Sequence, residues 1–128
     1  MENEKQEVTL NIKTPECFEF NEDKTVILKY FDNDSHVLIP DGVVSIGDGA
    51  FKNKKLTSIV IPRSVQVIGH YAFCGCKKLT SIEIPSSVYS IGDYAFKDCK
   101  NLTAIEIPNS VRRIGKGACN FTILSIKK

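Results

Sequence analysis

The chain has 128 residues, 42% of them hydrophobic and 25% charged, with a formal net charge of +2. That is about one domain of ordinary globular composition, with too little charge for wholesale attraction to nucleic acid or an anionic membrane. No apolar run approaches the roughly 18 to 20 residues that span a bilayer, and the opening MENEKQEV has neither the basic start nor the apolar core of a secretory signal. These residues alone lead to the expectation of a cytoplasmic chain without membrane insertion.

In chain order, MENEKQE is expected to fray. VTLNIK alternates Val8, Leu10 and Ile12 with polar residues, CFEF turns Phe18 and Phe20 inward, and TVILKY offers a further strand, with NEDK and FDNDS as turns between them. Residues 1–36 are therefore read as a tail and a hairpin-like β cap over the open end of a repeat region beginning at residue 37.

From residue 37 to residue 128 the sequence repeats. Segments starting at Ile39, Ile61, Ile84 and Ile107, spaced by 22, 23 and 23 residues, share the frame I-P-x-x-V-x-x-I-G-x-x-A-F-x-x-x-x-x-L-T-x-I-x. A period in the twenties marks a solenoid of about four stacked coils. In L-x-x-I-x-I, the alternation sends Ile59 and Ile61 to one face of a short strand and Ser58 and Val60 to the other, as it does again at Ile82, Ile84 and at Ile105, Ile107. Pro40, Pro62, Pro85 and Pro108 end each strand, because proline has no N–H for the ladder. Val65 with Ile68, and their counterparts Val88, Ile91, Val111 and Ile114, supply an opposite wall. Gly69, Gly92 and Gly115 are expected to turn the chain through positive φ, and Ala72-Phe73 and Ala95-Phe96 to plug the coil in a short helical turn. One such coil buries too few side chains to offset its ordering entropy, so stacking is required.

This frame resembles the leucine-rich repeats of the Treponema-type, or BspA-like, family, over about seven tenths of the chain from Val37 onward. The resemblance implies a mostly β solenoid with short helical turns. It also implies a non-enzymatic protein-interaction module, of a kind common in bacterial surface or secreted proteins used in adhesion. That sets a surface or secreted location against the cytoplasmic one.

The final coil departs from the frame. Cys119 stands where the others have phenylalanine, the next turn is about two residues short, and ILSIKK has to serve as LTSIEI. The charge is also polarised: residues 1–38 hold nine acids against four lysines, a net of −5, while residues 107–128 hold five basic residues and no acid. Arg112, Arg113, Lys116, Lys127 and Lys128 either protect an open end or make it a docking surface for end-to-end homo-association.

Chemistry is sparse. Five cysteines, an odd number, point to reduced thiols. Cys76 and Cys99 share a frame position one coil apart, within reach of a disulfide, yet a buried structural thiol is the stronger reading. His70, Cys74, Cys76 and Cys99 lack the paired spacing of a zinc site. His36 and His70 belong to no triad or phosphate-loop motif and read as solvent-facing. The sequence calls for no enzyme and no cofactor. Three binding surfaces remain. Ser58, Val60, Ser81, Glu83, Ala104 and Glu106 form an outward row, with Lys127 continuing it, for a protein partner. Lys52, Lys54, Lys55, Lys77, Lys78, Lys97 and Lys100 form an edge suited to a polyanion. Tyr71 and Tyr94, with Tyr89 nearby, form an aromatic patch.

Overall fold

The computed structural model describes residues 17–119 and 125–127; the expected strand at Val8–Ile12 and the fraying tail lie outside them. Among the described residues ten short strands follow in order: β1 (Phe18–Phe20), β2 (Val26–Tyr30), β3 (His36–Leu38), β4 (Ser45–Ile46), β5 (Ser58–Val60), β6 (Val67–Ile68), β7 (Ser90–Ile91), β8 (Ala104–Glu106), β9 (Arg113–Ile114) and β10 (Ser125–Lys127). They are short because each coil crosses each wall only once.

On one wall the strands stack in the order β1-β2-β4-β6-β7-β9. All pairings are parallel except the β1–β2 hairpin, and the register runs Ile27, Ile46, Ile68, Ile91, Ile114, one isoleucine per coil. The hairpin turn is held by Asn21, whose Oδ1 accepts the N–H groups of Thr25 and Val26 at 2.9 and 2.8 Å. Because β2 already runs parallel to β4, the solenoid path begins inside the lead-in.

The opposite wall consists of two separate pairs, β3–β5 and β8–β10, both parallel. β10 lies in register on β8, with Ser125 beside Ala104 and Lys127 beside Glu106, so Ser125-Ile126-Lys127 takes the place that Ala104-Ile105-Glu106 has one coil earlier; the rest of ILSIKK lies outside the described residues.

Between the walls runs one continuous apolar core. Leu56, Leu79, Leu102, Val65, Val88, Ile68 and Ile91 are fully enclosed. Phe51, Phe73 and Phe96 stack through its centre at 5.3 and 5.5 Å, almost parallel. Tyr30 continues the column into the lead-in, 5.2 Å from Phe51. Burial of this kind is what no single coil can achieve.

The corner carrying Ala-Phe is a run of turns rather than a helical turn. N–H groups of Ala72, Cys74 and Cys76 bond three residues back, to Gly69, Tyr71 and Phe73; those of Tyr71, Phe73 and Gly75 bond instead to carbonyls of the next coil, Asp93, Ala95 and Lys97. Alternate residues thus serve the turn and the stack, and a helix would spend all of them on itself. The glycine expectation is also corrected. Positive φ falls at Gly42, Gly49, Gly75 and Gly117, and not at Gly69, Gly92 or Gly115. Those three are small because the neighbouring coil is close: a Cβ on Gly92 would sit 2.6 Å from the backbone nitrogen of His70.

Candidate functional site

The outward row has the predicted faces. Ile59, Ile82 and Ile105 turn into the core, while Val60, Ser81, Glu83, Ala104 and Glu106 are exposed. Ser58 is half-buried, its Oγ 2.6 Å from Nδ1 of His36 one coil earlier.

Its backbone differs from expectation at one place. Among the described residues, 81–83 form no strand; Glu83 makes a lone parallel bridge to Glu106, and β5 pairs only with β3. On the β3–β5 side, Ile39 N–H reaches Val60 C=O at 3.1 Å, but among the described residues Ile61 and Glu83 do not form the equivalent bond. The two coils are held at the base of this gap by Thr80 N–H on Thr57 C=O at 3.3 Å. The break coincides with a turn one residue longer, Lys77-Lys78 standing where the preceding coil has Lys55 alone.

The gap is a groove of about 640 Å³. Its apolar lining includes Ile59, Val60, Ile61, Ile82 and Ile84, and Arg63, Glu83 and Glu106 charge it. Val60 is 57% exposed there, the most exposed large hydrophobic side chain among the described residues. Arg63, Ser86, Pro85 and Pro108 line it too and were absent from the predicted row. Their signal was their place directly after each strand, where the chain turns back over the same face. Apolar walls with a few convergent charged groups suit a side chain or an extended segment of a partner.

The lysines of the turn edge lie at the surface. Lys52, Lys55, Lys77, Lys78, Lys97 and Lys100 are exposed, and Lys54 is half-buried. Lys54 Nζ lies 5.9 Å from the centre of the Tyr30 ring. Lys52 and Lys97 each place Nζ 5.4 Å from a tyrosine ring centre, over Tyr71 and Tyr94 respectively. These two tyrosines stack on each other at 5.3 Å, and both hold φ near 58°, a conformation unusual for a bulky residue. Among the described residues Tyr89 makes no ring contact with them; it stands just before β7, outside the patch the sequence suggested.

The thiols are scaffold groups. Cys76 and Cys99 donate to the carbonyls of Phe51 and Phe73, each at 3.1 Å, and no disulfide joins the described cysteines. Burial pushes both thiols up to about 12 and raises Cys74 and Cys119 as well, which leaves them poor nucleophiles. His70 accepts Asp93 N–H at Nδ1, 2.8 Å away. Among the described residues no three His, Cys, Asp or Glu side chains gather as metal ligands, and no helix is long and apolar enough to cross a membrane.

Residues 25–128 match the model of the BspA type leucine rich repeat region, in six copies. No curated protein matches the chain. Among solved structures, a leucine-rich repeat protein from Bacteroides ovatus is 32% identical, with a TM-score of 0.75, over 94% of this chain and 34% of its own. The T. pallidum leucine rich repeat protein is 29% identical, with a TM-score of 0.72, over 84% of this chain and 66% of its own. A leucine rich cell surface protein from Faecalibacterium prausnitzii is 27% identical, with a TM-score of 0.66, over 86% of this chain and 37% of its own. The chain thus spans about a third to two thirds of the length of these relatives. With frame, stacked walls and family model in agreement, the chain belongs to the BspA-type leucine-rich repeat family.

Proposed function

We propose that the protein is a non-enzymatic interaction module that receives a protein partner in the groove between β5 and residues 82–84. The observation that carries this reading is the break in the strand wall, a groove whose lining combines the outward-facing Val60 with Ile59, Ile61 and Ile82 and with Arg63 and two glutamates. A closed ladder would offer a flat polar face; the open one offers an apolar slot with charges of both signs, the combination that fixes orientation as well as affinity. The F. prausnitzii relative is described as a cell surface protein, which supports adhesion at a cell surface as the setting. The test is affinity capture with identification of the bound protein. A partner retained by the wild type and by a Lys77→Gln/Lys78→Gln control, but lost with Val60→Glu and with Glu83→Arg/Glu106→Arg, supports the groove. A partner indifferent to all groove variants refutes it.

One observation favours a second reading, association end to end. Ile114 on the edge strand β9 is 44% exposed, whereas its counterparts Ile46, Ile68 and Ile91 are fully buried under the next coil. Light scattering at rising concentration and two salt levels separates this from the first: growth that Ile114→Lys abolishes supports it, and a monomer throughout opposes it.

A further inference from the structure

The lysine edge is concave at one point. Between the first two coils, Asn53, Lys54, Lys55, Gly75, Lys77 and Lys78 surround a basin of about 260 Å³, with four ammonium-bearing side chains and no acid in its lining. Two of the lining residues are in close contact: Asn53 and Gly75 both hold positive φ, 62° and 78°, and a Cβ added to Gly75 would run into Oδ1 of Asn53. The third coil has Asp98 at this frame position, so the run of coils with no acid there ends at the second. Lysines scattered for solubility need no shared hollow; here the extra residue of the longer turn also adds the fourth lysine to the basin.

We infer that this basin is a binding site for a sulfated polysaccharide, distinct from the groove and independent of the protein-partner reading. Ammonium groups on flexible stems suit the dispersed oxyanions of such a chain, which needs neither planar bidentate pairing nor base recognition. Nucleic acid fits less well. Single strands are held by stacking on free aromatic faces, yet Tyr71 and Tyr94 cover one another, Lys52 lies over the first and Gly117 packs against the second. Duplex readout needs a helix or ribbon that enters a groove, and a stack of tight turns provides neither.

The test uses heparin as probe, with desulfated heparin, single- and double-stranded DNA and anionic phosphatidylserine vesicles as comparisons, on the intact chain. Lys55→Gln/Lys77→Gln/Lys78→Gln is expected to weaken heparin binding about tenfold or more. Arg112→Gln/Arg113→Gln/Lys116→Gln, which removes the same charge from the far end, is expected to change it less than about twofold. Asn53→Asp, which takes the residue Asp98 already has in the same backbone conformation, keeps the fold and is expected to weaken binding several-fold. Raising NaCl from about 50 to about 200 mM should cost roughly twentyfold if three charges are neutralised. Equal loss in the two triple variants, undiminished binding to desulfated heparin, or tighter binding to either DNA or to the vesicles would overturn the assignment.

Discussion

The Nδ1 atom of His70 accepts the backbone N–H of Asp93, the residue one coil further on, at 2.8 Å. It is the middle member of a series: Asp48 Oδ1 accepts His70 N–H at 2.9 Å, and Asp93 Oδ1 accepts Lys116 N–H at 2.9 Å. Each coil thus holds the amide of the next through one side chain directly after the Ile-Gly pair. An imidazole can join a series of carboxylates only by presenting a bare nitrogen, which places the proton of the neutral ring on Nε2. His70→Ala should cost about 1 kcal/mol in denaturant unfolding, whereas His70→Asn, which keeps a neutral acceptor, should stay within about 0.5 kcal/mol of wild type. Nitrogen shifts in the ring report the tautomer directly; a proton on Nδ1 in the neutral form contradicts the series.

That series shows what the sequence made legible and what it did not. The walls and core follow from spacing, because Ile46, Ile68 and Ile91 meet in register wherever an apolar position recurs at the coil period. His70 looked like a free turn residue because its role lies in an amide 23 residues away. Asp48 and Asp93 at the same frame position were the available signal. The wall break was hidden for a similar reason: the Leu-x-x-Ile pattern is intact at Leu79 and Ile82, and the unequal turns that accompany the break show only when two coils are compared. Gly92 was recognised as special for the wrong property, since a φ preference is local and a close approach is not. The left-handed tyrosines have no sequence signature beyond sharing their position with Gly49 and Gly117.

Gly92 gives the second prediction. Gly92→Ala places a methyl 2.6 Å from His70 nitrogen and 2.7 Å from Gly69 carbon, both backbone atoms. No side chain can move aside, so the coils must separate, at about 1 to 3 kcal/mol or more. Gly42→Ala meets nothing within 4 Å and suffers only from its φ of 95°. Thermal melts of the two variants should therefore rank Gly92→Ala as the more damaging; the reverse order would mean the coils are not in this contact.

Phe73 gives the third, as the one ring of the column with a phenylalanine stacked on both faces. Phe73→Ala should cost about 3 to 5 kcal/mol, and Phe73→Leu clearly less, because leucine refills much of the cavity. Denaturant melts check the pair; equal losses would show that aromatic volume does not hold the column together.

The buried thiols give a pH dependence. Cys76 and Cys99 are pushed up to about 12 by burial, and Tyr30 is raised above the usual phenol by burial and by its bond to Asp34 at 3.0 Å. Below about pH 8.5 a cysteine is neutral in both the folded and the unfolded chain, and stability is unaffected. Above it the unfolded chain ionises while the folded one does not. Stability then falls by up to about 1.4 kcal/mol per pH unit for each thiol until about pH 12, with Tyr30 adding its share from about pH 10. Cys76→Ala/Cys99→Ala should flatten the alkaline slope. Native alkylation at pH 8 should spare these two positions; rapid labelling of both would contradict their burial.

Glu83 and Glu106 stand side by side on adjacent coils, both exposed, in the only bridge that residues 81–83 form among those described. Like charges directly opposed across a pair destabilise it. Glu83→Lys converts the repulsion into attraction and should raise stability by about 0.5 to 1 kcal/mol. If the open wall serves binding, the same change should weaken the partner, since it removes one groove carboxylate and puts a cation in its place. Stability gained together with binding lost is the pattern expected where a strand wall is kept open for use. Hydrogen exchange provides the structural check: the amide of Ile61, which lacks the bond that Ile39 makes to the next coil, should exchange faster than those of β6 and β7. If it is as protected as they are, the wall is closed and the groove reading fails with it.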